Sequence, residues 1–527
     1  MHRVGRRRFL TVGGLSLGAC LVPLAARLSS LARARDFGEL VPDPDGLFDL
    51  PAGFSYTVLQ EASGTMTDGY RVPGLPDGMG CFLGSDGNWV LMRNHEVPVL
   101  GFLFGAYGLG EAPPEAFTEN AFGGVTRVVV DPKTHTLVSS NLVLTGTSRN
   151  CAGGVSPWGW LSCEEAGDES DHGYVFVCDI EATSVQSPVQ VVGYGRFHHE
   201  AAAVDPATHV CYLTEDRGDG CLYRFVPLDP CAPFVGRLQA LRVVGQDNAV
   251  TADWATGDTV SIDWVDIDEP NPADDTVRAE AAGKGAALFR RGEGIWFHDG
   301  QVWFSSTSGG PADSGQIFRL TDGKGGGMLE LVTQSDDANI LDFPDNITIA
   351  PWGQLFMCED GDGDNFIRVL TDDGEVRPFG LNRGSDSELA GACFSPDGTV
   401  LFVNIQRDGL TLAITGPFPA APAVPGDVPD CDGGADTGDT GAADTSGGGE
   451  GEGGTTGSGA GEGASDTGPS AGSTGGLVDS GSGGSEASAG AADEGDEGCG
   501  CQASGTGDVA VAAISVALLA AGRPRER

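Results

Sequence analysis

The chain has 527 residues, 40% of them hydrophobic, and carries 75 acidic against 30 basic side chains, for a formal net charge of −45. That balance excludes the cationic surface that nucleic-acid binding needs and suits hard cations, which collect carboxylates. The apolar content is ample for one large core.

The first element is an export signal. Arg6-Arg7-Arg8-Phe9-Leu10 precedes an apolar run to about residue 26 and resembles the twin-arginine signal, which carries folded proteins across a membrane. Ala32-Arg33-Ala34 fits a small-x-small cleavage site, so the signal is expected over residues 1–34; Leu17-Gly18-Ala19-Cys20 resembles a lipoprotein box instead. Thirteen cysteines in an exported chain suggest disulfides, whose pairing the spacing does not fix.

The body, residues 35–425, repeats one unit: a short apolar strand, a turn with Gly or Pro, a second apolar strand and a polar or acidic end. The six instances end at Glu96, Glu165, Asp216, Gly310, Asp360 and Gln406. Each reads as a hairpin around turns such as Asp-Gly or Pro-x-Gly. GYVFVCDI, CLYRFVP, GQIFRL and FIRVLTDDGEVRPFG have the character of outer strands. Four strands per unit and no long amphipathic helical pattern predict an all-β, six-bladed β-propeller.

Residues 426–497 follow as a Gly/Ser/Thr-rich linker; from 427 to 497 there are 16 acidic and no basic residues. Such a segment cannot bury enough apolar surface to offset its ordering entropy and is expected to be disordered. Residues 498–527 hold Cys499 and Cys501, a short apolar segment and a basic end. Their order resembles the MYXO-CTERM sorting tail of myxobacterial surface proteins, which implies anchoring at the outer membrane or cell surface. The short apolar segment could also be a marginal membrane anchor.

In an antiparallel hairpin the residue before the first strand and the residue after the second lie at one edge. If the units share an orientation, His199-Glu200, Gly292-Glu293-Gly294 and Asp345-Asn346 converge with His95-Glu96, Glu164-Glu165, Glu215-Asp216 and Glu359-Asp360. The result is a ring of carboxylates around a channel. Crowded carboxylates repel, and cations relieve them. Glu164, Glu215, Glu359 and Asp360 are expected metal ligands on this ground. Cys151 is a soft donor that iron or zinc accepts and calcium does not favour, beside Gly153-Gly154, where backbone can approach closely. It is also compatible with a disulfide or a small core residue.

RNCAGG with PWG and CEE, HHEAA followed by VDP and LTEDR, GEGIWF, PDN with CEDG, and ELAGACFSPDG with LFVNIQ together resemble the PhoX alkaline phosphatases. The resemblance spans residues 47–417. It implies a six-bladed propeller whose channel holds an iron–calcium cofactor and hydrolyses phosphate monoesters. It makes Cys151 an iron ligand, Glu200 and Glu293 metal ligands, and Arg291 the contact for substrate phosphate, so that Cys151, Arg291 and Glu293 form the catalytic group. Asn150 and His199 are expected beside the substrate, with Asp345 supporting the ligands. No Lys lies between Lys133 and Lys284, so any lysine contact to phosphate upstream of the cysteine is missing here. A monomer is expected. The alternatives are a calcium-stabilised propeller that binds without cutting, and a lactonase- or phytase-like propeller hydrolase, which has no use for a cysteine ligand.

Overall fold

The computed structural model describes residues 35–167, 169 and 171–420; the expected signal, linker and sorting tail lie outside the described residues. Three strands come first: β1 (Leu40–Val41), β2 (Phe48–Pro51) and β3 (Ser55–Glu61). They precede a series of antiparallel meanders. The first is β4 (Pro76–Leu83), β5 (Trp89–His95), β6 (Gly123–Val130) and β7 (Leu137–Thr147), and the second β8 (Asn150–Ser156), β9 (Gly159–Glu164) and β10 (Val175–Cys178). Next come β11 (His199–Val204), β12 (Cys211–Glu215), β13 (Tyr223–Pro227), β14 (Gly236–Val243) and β15 (Thr259–Asp266). A short helix, α1 (Val277–Gly283), separates them from β16 (Gly292–His298), β17 (Gln301–Ser306), β18 (Gln316–Thr321) and β19 (Gly327–Gln334). The last two are β20 (Pro344–Ile349), β21 (Leu355–Glu359), β22 (Phe366–Leu370) and β23 (Val376–Asn382), then β24 (Leu389–Phe394), β25 (Val400–Ile405) and β26 (Leu410–Thr415).

These strands form five hydrogen-bonded sheets. The fold is all-β and propeller-like, because the first strand of each meander packs against the next in a closed circuit: β4, β8, β11, β16, β20, β24 and back to β4. Three couplings depart from plain repetition. Strand β15 pairs with both β14 and β19, fusing two meanders into a nine-stranded sheet. Strands β2 and β1 extend the β20–β23 sheet. Strand β3 pairs with β26 from Leu410↔Glu61 to Thr415↔Ser55, so the first part of the chain completes the last sheet.

Local chemistry explains the hairpins. At His298–Gln301 both turn residues, Asp299 (φ 47°) and Gly300 (φ 76°), take positive φ, the conformation of a tight hairpin whose twist matches its strands. Apolar side chains then fill the spaces between sheets. One such layer joins the two ends of the body: Phe37 lies 5.0 Å from Phe379, and Phe418 lies 4.9 Å from Phe54 and 5.3 Å from Phe394.

Each inner strand carries the same irregularity near its start. Register shifts fall between Pro76 and Met79, Asn150 and Gly153, His199 and Ala202, Gly292 and Ile295, Pro344 and Ile347, and Ala390 and Cys393. In every case two residues oppose one on the partner strand, which is a β-bulge, and a bulge re-aims the side chain it displaces. The leading bulge residues are Asp77, Cys151, Glu200, Glu293, Asp345 and Gly391. The second ones are small or short: Gly78, Ala152, Ala201, Gly294, Asn346 and Ala392.

Candidate metal centre

The leading bulge residues bring buried carboxylates together. Oxygens of Glu200, Glu293 and Asp345 lie within 4.8 Å of one another, and so do those of Asp77, Glu96 and Glu388. The two groups are electrostatically continuous, since Asp345 and Asp77 both act on Glu200. Burial first, then neighbouring carboxylates, pushes Asp77, Glu200, Glu293 and Glu388 well above the ordinary carboxylate range. The same causes push Glu96 up to about 8 and Asp345 up to about 7. Glu165 and Asp360 are raised as well, again chiefly by burial.

Few protein groups offset this charge. Gln406 Nε2 donates to Asp77 Oδ2 at 3.0 Å and to Glu96 Oε2 at 2.9 Å. Arg291 donates from Nε and Nη2 to Asp216 at 2.9 and 3.0 Å and from Nη2 to Glu293 Oε1 at 2.7 Å. Asp77 Oδ1 is buried without a hydrogen-bond partner. An orphaned buried carboxylate oxygen among others of its kind is costly unless a cation takes it. These oxygens fit hard cations.

Cys151 sits in the same ring, 4% exposed. Its Sγ donates to the His199 carbonyl at 3.3 Å. Burial, followed by the charges of Glu200, Glu165 and Asp77, pushes the thiol well up. It would ligate a metal ion only as the thiolate, with its proton released to solvent. The chemistry of the donor set is thus one soft sulfur beside many hard oxygens.

Among the expected ligands, Cys151, Glu200, Glu293 and Asp360 are brought to this region, and Arg291 spans Asp216 and Glu293. Asp345, expected to support the ligands, lies inside one carboxylate group. Glu164, Glu215 and Glu359 are a correction. Each ends the second strand of its meander and is bound by neighbouring strands, loops or α1. Glu164 accepts from the N–H groups of Ser148, Gly173 and Tyr174 at 2.9, 2.9 and 3.1 Å and pairs with His172 Nδ1 at 2.7 Å. Glu215 accepts from Cys221 N, Tyr223 Oη and Arg278 Nη1 at 3.2, 2.8 and 3.4 Å. Glu359 accepts from Asp342 N, Phe366 N and Arg368 Nε at 2.9, 3.1 and 2.8 Å. Both oxygens of each are committed, and strand alternation turns the next residue, Glu165, Asp216 or Asp360, the other way.

Two more expectations are corrected. Asn150 is fully buried, with its amide between Ser162 Oγ at 2.9 Å and Thr147 Oγ1 at 2.6 Å, so it supports the sheet and does not face the mouth. His199 bonds the Gly195 carbonyl at 3.0 Å and stacks on Phe197 at 3.6 Å; burial lowers its pKa to about 3. It is a neutral core ring.

The sequence reading does not include Asp77 or Glu388 in the ring, and it places Glu96, Glu165 and Asp216 there without assigning them as ligands. Asp77 had a signal: Pro76-Asp77-Gly78 aligns with Gly292-Glu293-Gly294 and Pro344-Asp345-Asn346 once the first repeat is extended upstream.

Below this region the second bulge residues narrow the channel. Gly78, Ala152, Ala201, Gly294, Asn346 and Ala392 border a cavity of about 20 Å³, room for about one water. The fit is tight: a Cβ on Gly78 would stand 2.5 Å from the Ala152 Cα, and one on Gly391 2.2 Å from the Asp77 carbonyl oxygen. The carboxylates are therefore approached from the mouth formed by Glu96, Glu165, Asp216 and Asp360.

Residues 35–141 and 133–409 match the family described as Alkaline phosphatase PhoX. Among solved structures, PhoX of Pseudomonas fluorescens in complex with vanadate, a transition state analogue, is similar at 20% identity and a TM-score of 0.56, covering 73% of this chain and 98% of that one. A gluconolactonase of Xanthomonas campestris is similar at 12% identity and a TM-score of 0.39, covering 73% and 100%. No curated protein matches the sequence.

Proposed function

The chain belongs to the alkaline phosphatase PhoX family, and from that premise we propose that this phosphatase hydrolyses phosphate monoesters at an iron–calcium centre in the channel mouth. The observation that carries the reading is the recurrent bulge, which delivers Asp77, Cys151, Glu200, Glu293 and Asp345 to one buried place. The thiolate of Cys151 suits iron, and the carboxylates of Asp77, Glu96, Glu200, Glu293, Asp345 and Glu388 suit calcium or iron. Bound there, such ions supply Lewis-acid stabilisation of phosphoryl charge and an activated oxygen nucleophile. Arg291 keeps Nη1 for phosphate oxygens, while Asp216 and Glu293 take Nε and Nη2 and hold the guanidinium at the mouth. The cavity below is too small for an ester, so the substrate enters from the mouth.

We read the nine-stranded sheet as two blades joined by β15, which gives six blades in all. Residues 1–34 act as an export signal, 426–497 as a linker and 498–527 as the anchoring tail, so that a monomeric enzyme is displayed outside the cytoplasm.

The test is elemental analysis of the purified full chain beside p-nitrophenyl phosphate turnover, for wild type and Cys151→Ala. Iron and calcium are expected in the wild type, and the variant is expected to lose iron and at least about 100-fold in turnover. Calcium alone with no turnover would leave a propeller that binds and does not cut.

A further inference from the structure

Leu75, Arg149, His198, Arg291 and Phe343 occupy equivalent places, each two residues before the leading bulge residue, and in the last repeat Glu388, three residues before Gly391, makes the corresponding bond. In every repeat the carbonyl of this residue accepts from the backbone N–H of the mouth residue. The bonds run from Glu96 to Leu75, Glu165 to Arg149, Asp216 to His198, Thr307 to Arg291, Asp360 to Phe343 and Gln406 to Glu388. Four of these residues, Leu75, Arg149, Arg291 and Phe343, are non-glycine residues in the left-handed region, with φ of 49°, 45°, 54° and 47°, a conformation that costs roughly 1–3 kcal/mol and persists where the surroundings impose it. Arg149 and Arg291 are the two arginines among them.

Their side chains differ in one respect. The Arg291 fork is held by Asp216 and Glu293. Arg149 has charged neighbours, since its charge acts on both Glu96 and Glu165, yet its guanidinium makes no hydrogen bond or ion pair among the described residues. Other cations nearby are committed. Arg196 binds the Ala273 and Glu169 carbonyls, and Arg278 binds Asp275 and Asp219. One arginine therefore attends each carboxylate group: Arg291 beside Glu293, and Arg149 beside Glu96.

We propose that Arg149 is a second phosphoryl-binding arginine, and that with Arg291 it forms a clamp favouring dianionic monoesters over monoanionic diesters. The inference rests on the phosphatase reading and deepens it by naming a residue that selects the substrate class. A guanidinium with free donors offers two parallel N–H bonds to phosphate oxygens. A monoester presents more charge and more free oxygens to such a pair than a diester does. Removal of one fork therefore weakens the monoester more.

The experiment uses the full, metal-loaded chain as wild type, Arg149→Gln and Arg149→Lys. It measures KM and kcat for p-nitrophenyl phosphate and bis(p-nitrophenyl) phosphate, bound metal by elemental analysis, and inorganic phosphate binding by calorimetry. For Arg149→Gln, KM for the monoester is expected to rise about tenfold, equivalent to about 1.4 kcal/mol, with diester kinetics little changed and metal content intact. Arg149→Lys should restore part of the monoester affinity and not the full preference. Unchanged monoester KM, an equal loss for both esters, or loss of metal in the variant would overturn the proposal; the last would make Arg149 a counter-charge for Glu96 and Glu165. A wild type that turns over neither ester would instead remove the phosphatase reading. Calorimetry then still decides whether Arg149 binds phosphate.

Discussion

Glu359 and Asp360 are adjacent in the chain and have opposite surroundings. Glu359 accepts two backbone N–H bonds and an arginine, all from its own meander and the turn leading into it; Asp360 turns toward the mouth, where the charges of Arg291 and Asp216 act on it. The sequence showed an acidic pair and could not say which member faced where, because that depends on the register of the second strand. A pair of substitutions separates the two kinds of acid. Glu359→Gln is expected to lower the unfolding free energy by about 1–3 kcal/mol, the range for removing part of a buried charged hydrogen-bond set, with bound metal unchanged. Glu293→Gln is expected to lose metal. Denaturant midpoints and elemental analysis of both variants check this.

At the scale of the element, the hairpins were legible and the bulges were not. Apolar alternation and Asp-Gly turns mark strands through purely local chemistry, so the paired strands and the outer strands were found close to where they lie. A bulge is a two-against-one count, visible only against the partner strand. That is why the sequence outlines the ring yet neither singles out Asp77 nor separates Glu164, Glu215 and Glu359 from the acids that face the mouth. The sixth bulge tests the device itself. Its leading residue is Gly391 at φ +64°, where a Cβ would stand 2.2 Å from the Asp77 carbonyl oxygen. Gly391→Ala is expected to destabilise the fold by at least about 1–3 kcal/mol and to lower metal occupancy through Asp77. Chemical unfolding and elemental analysis report both effects.

For the molecule as a whole, the acidity that composition announced is concentrated functionally at one buried place. With metal stripped by a chelator, the carboxylates there hold their protons more tightly than in the unfolded chain, because burial and mutual repulsion raise Asp77, Glu96, Glu200, Glu293, Asp345 and Glu388. The native state then binds more protons than the unfolded state, so stability falls as pH rises. Their contribution is fully present below about pH 4, the unfolded carboxylate range, and is lost as pH passes the raised values, Glu96 at about 8 among them. Thermal midpoints of the chelated protein are therefore expected to fall between about pH 5 and about pH 8, while the metal-loaded protein holds its midpoint over the same range. The narrow floor of the channel has a consequence for traffic. With room for about one water beneath the carboxylates, whatever is released must depart through the opening by which the next molecule arrives. Turnover is then a matter of taking turns at a single door, and a product that lingers at the mouth is also the gatekeeper against its successor.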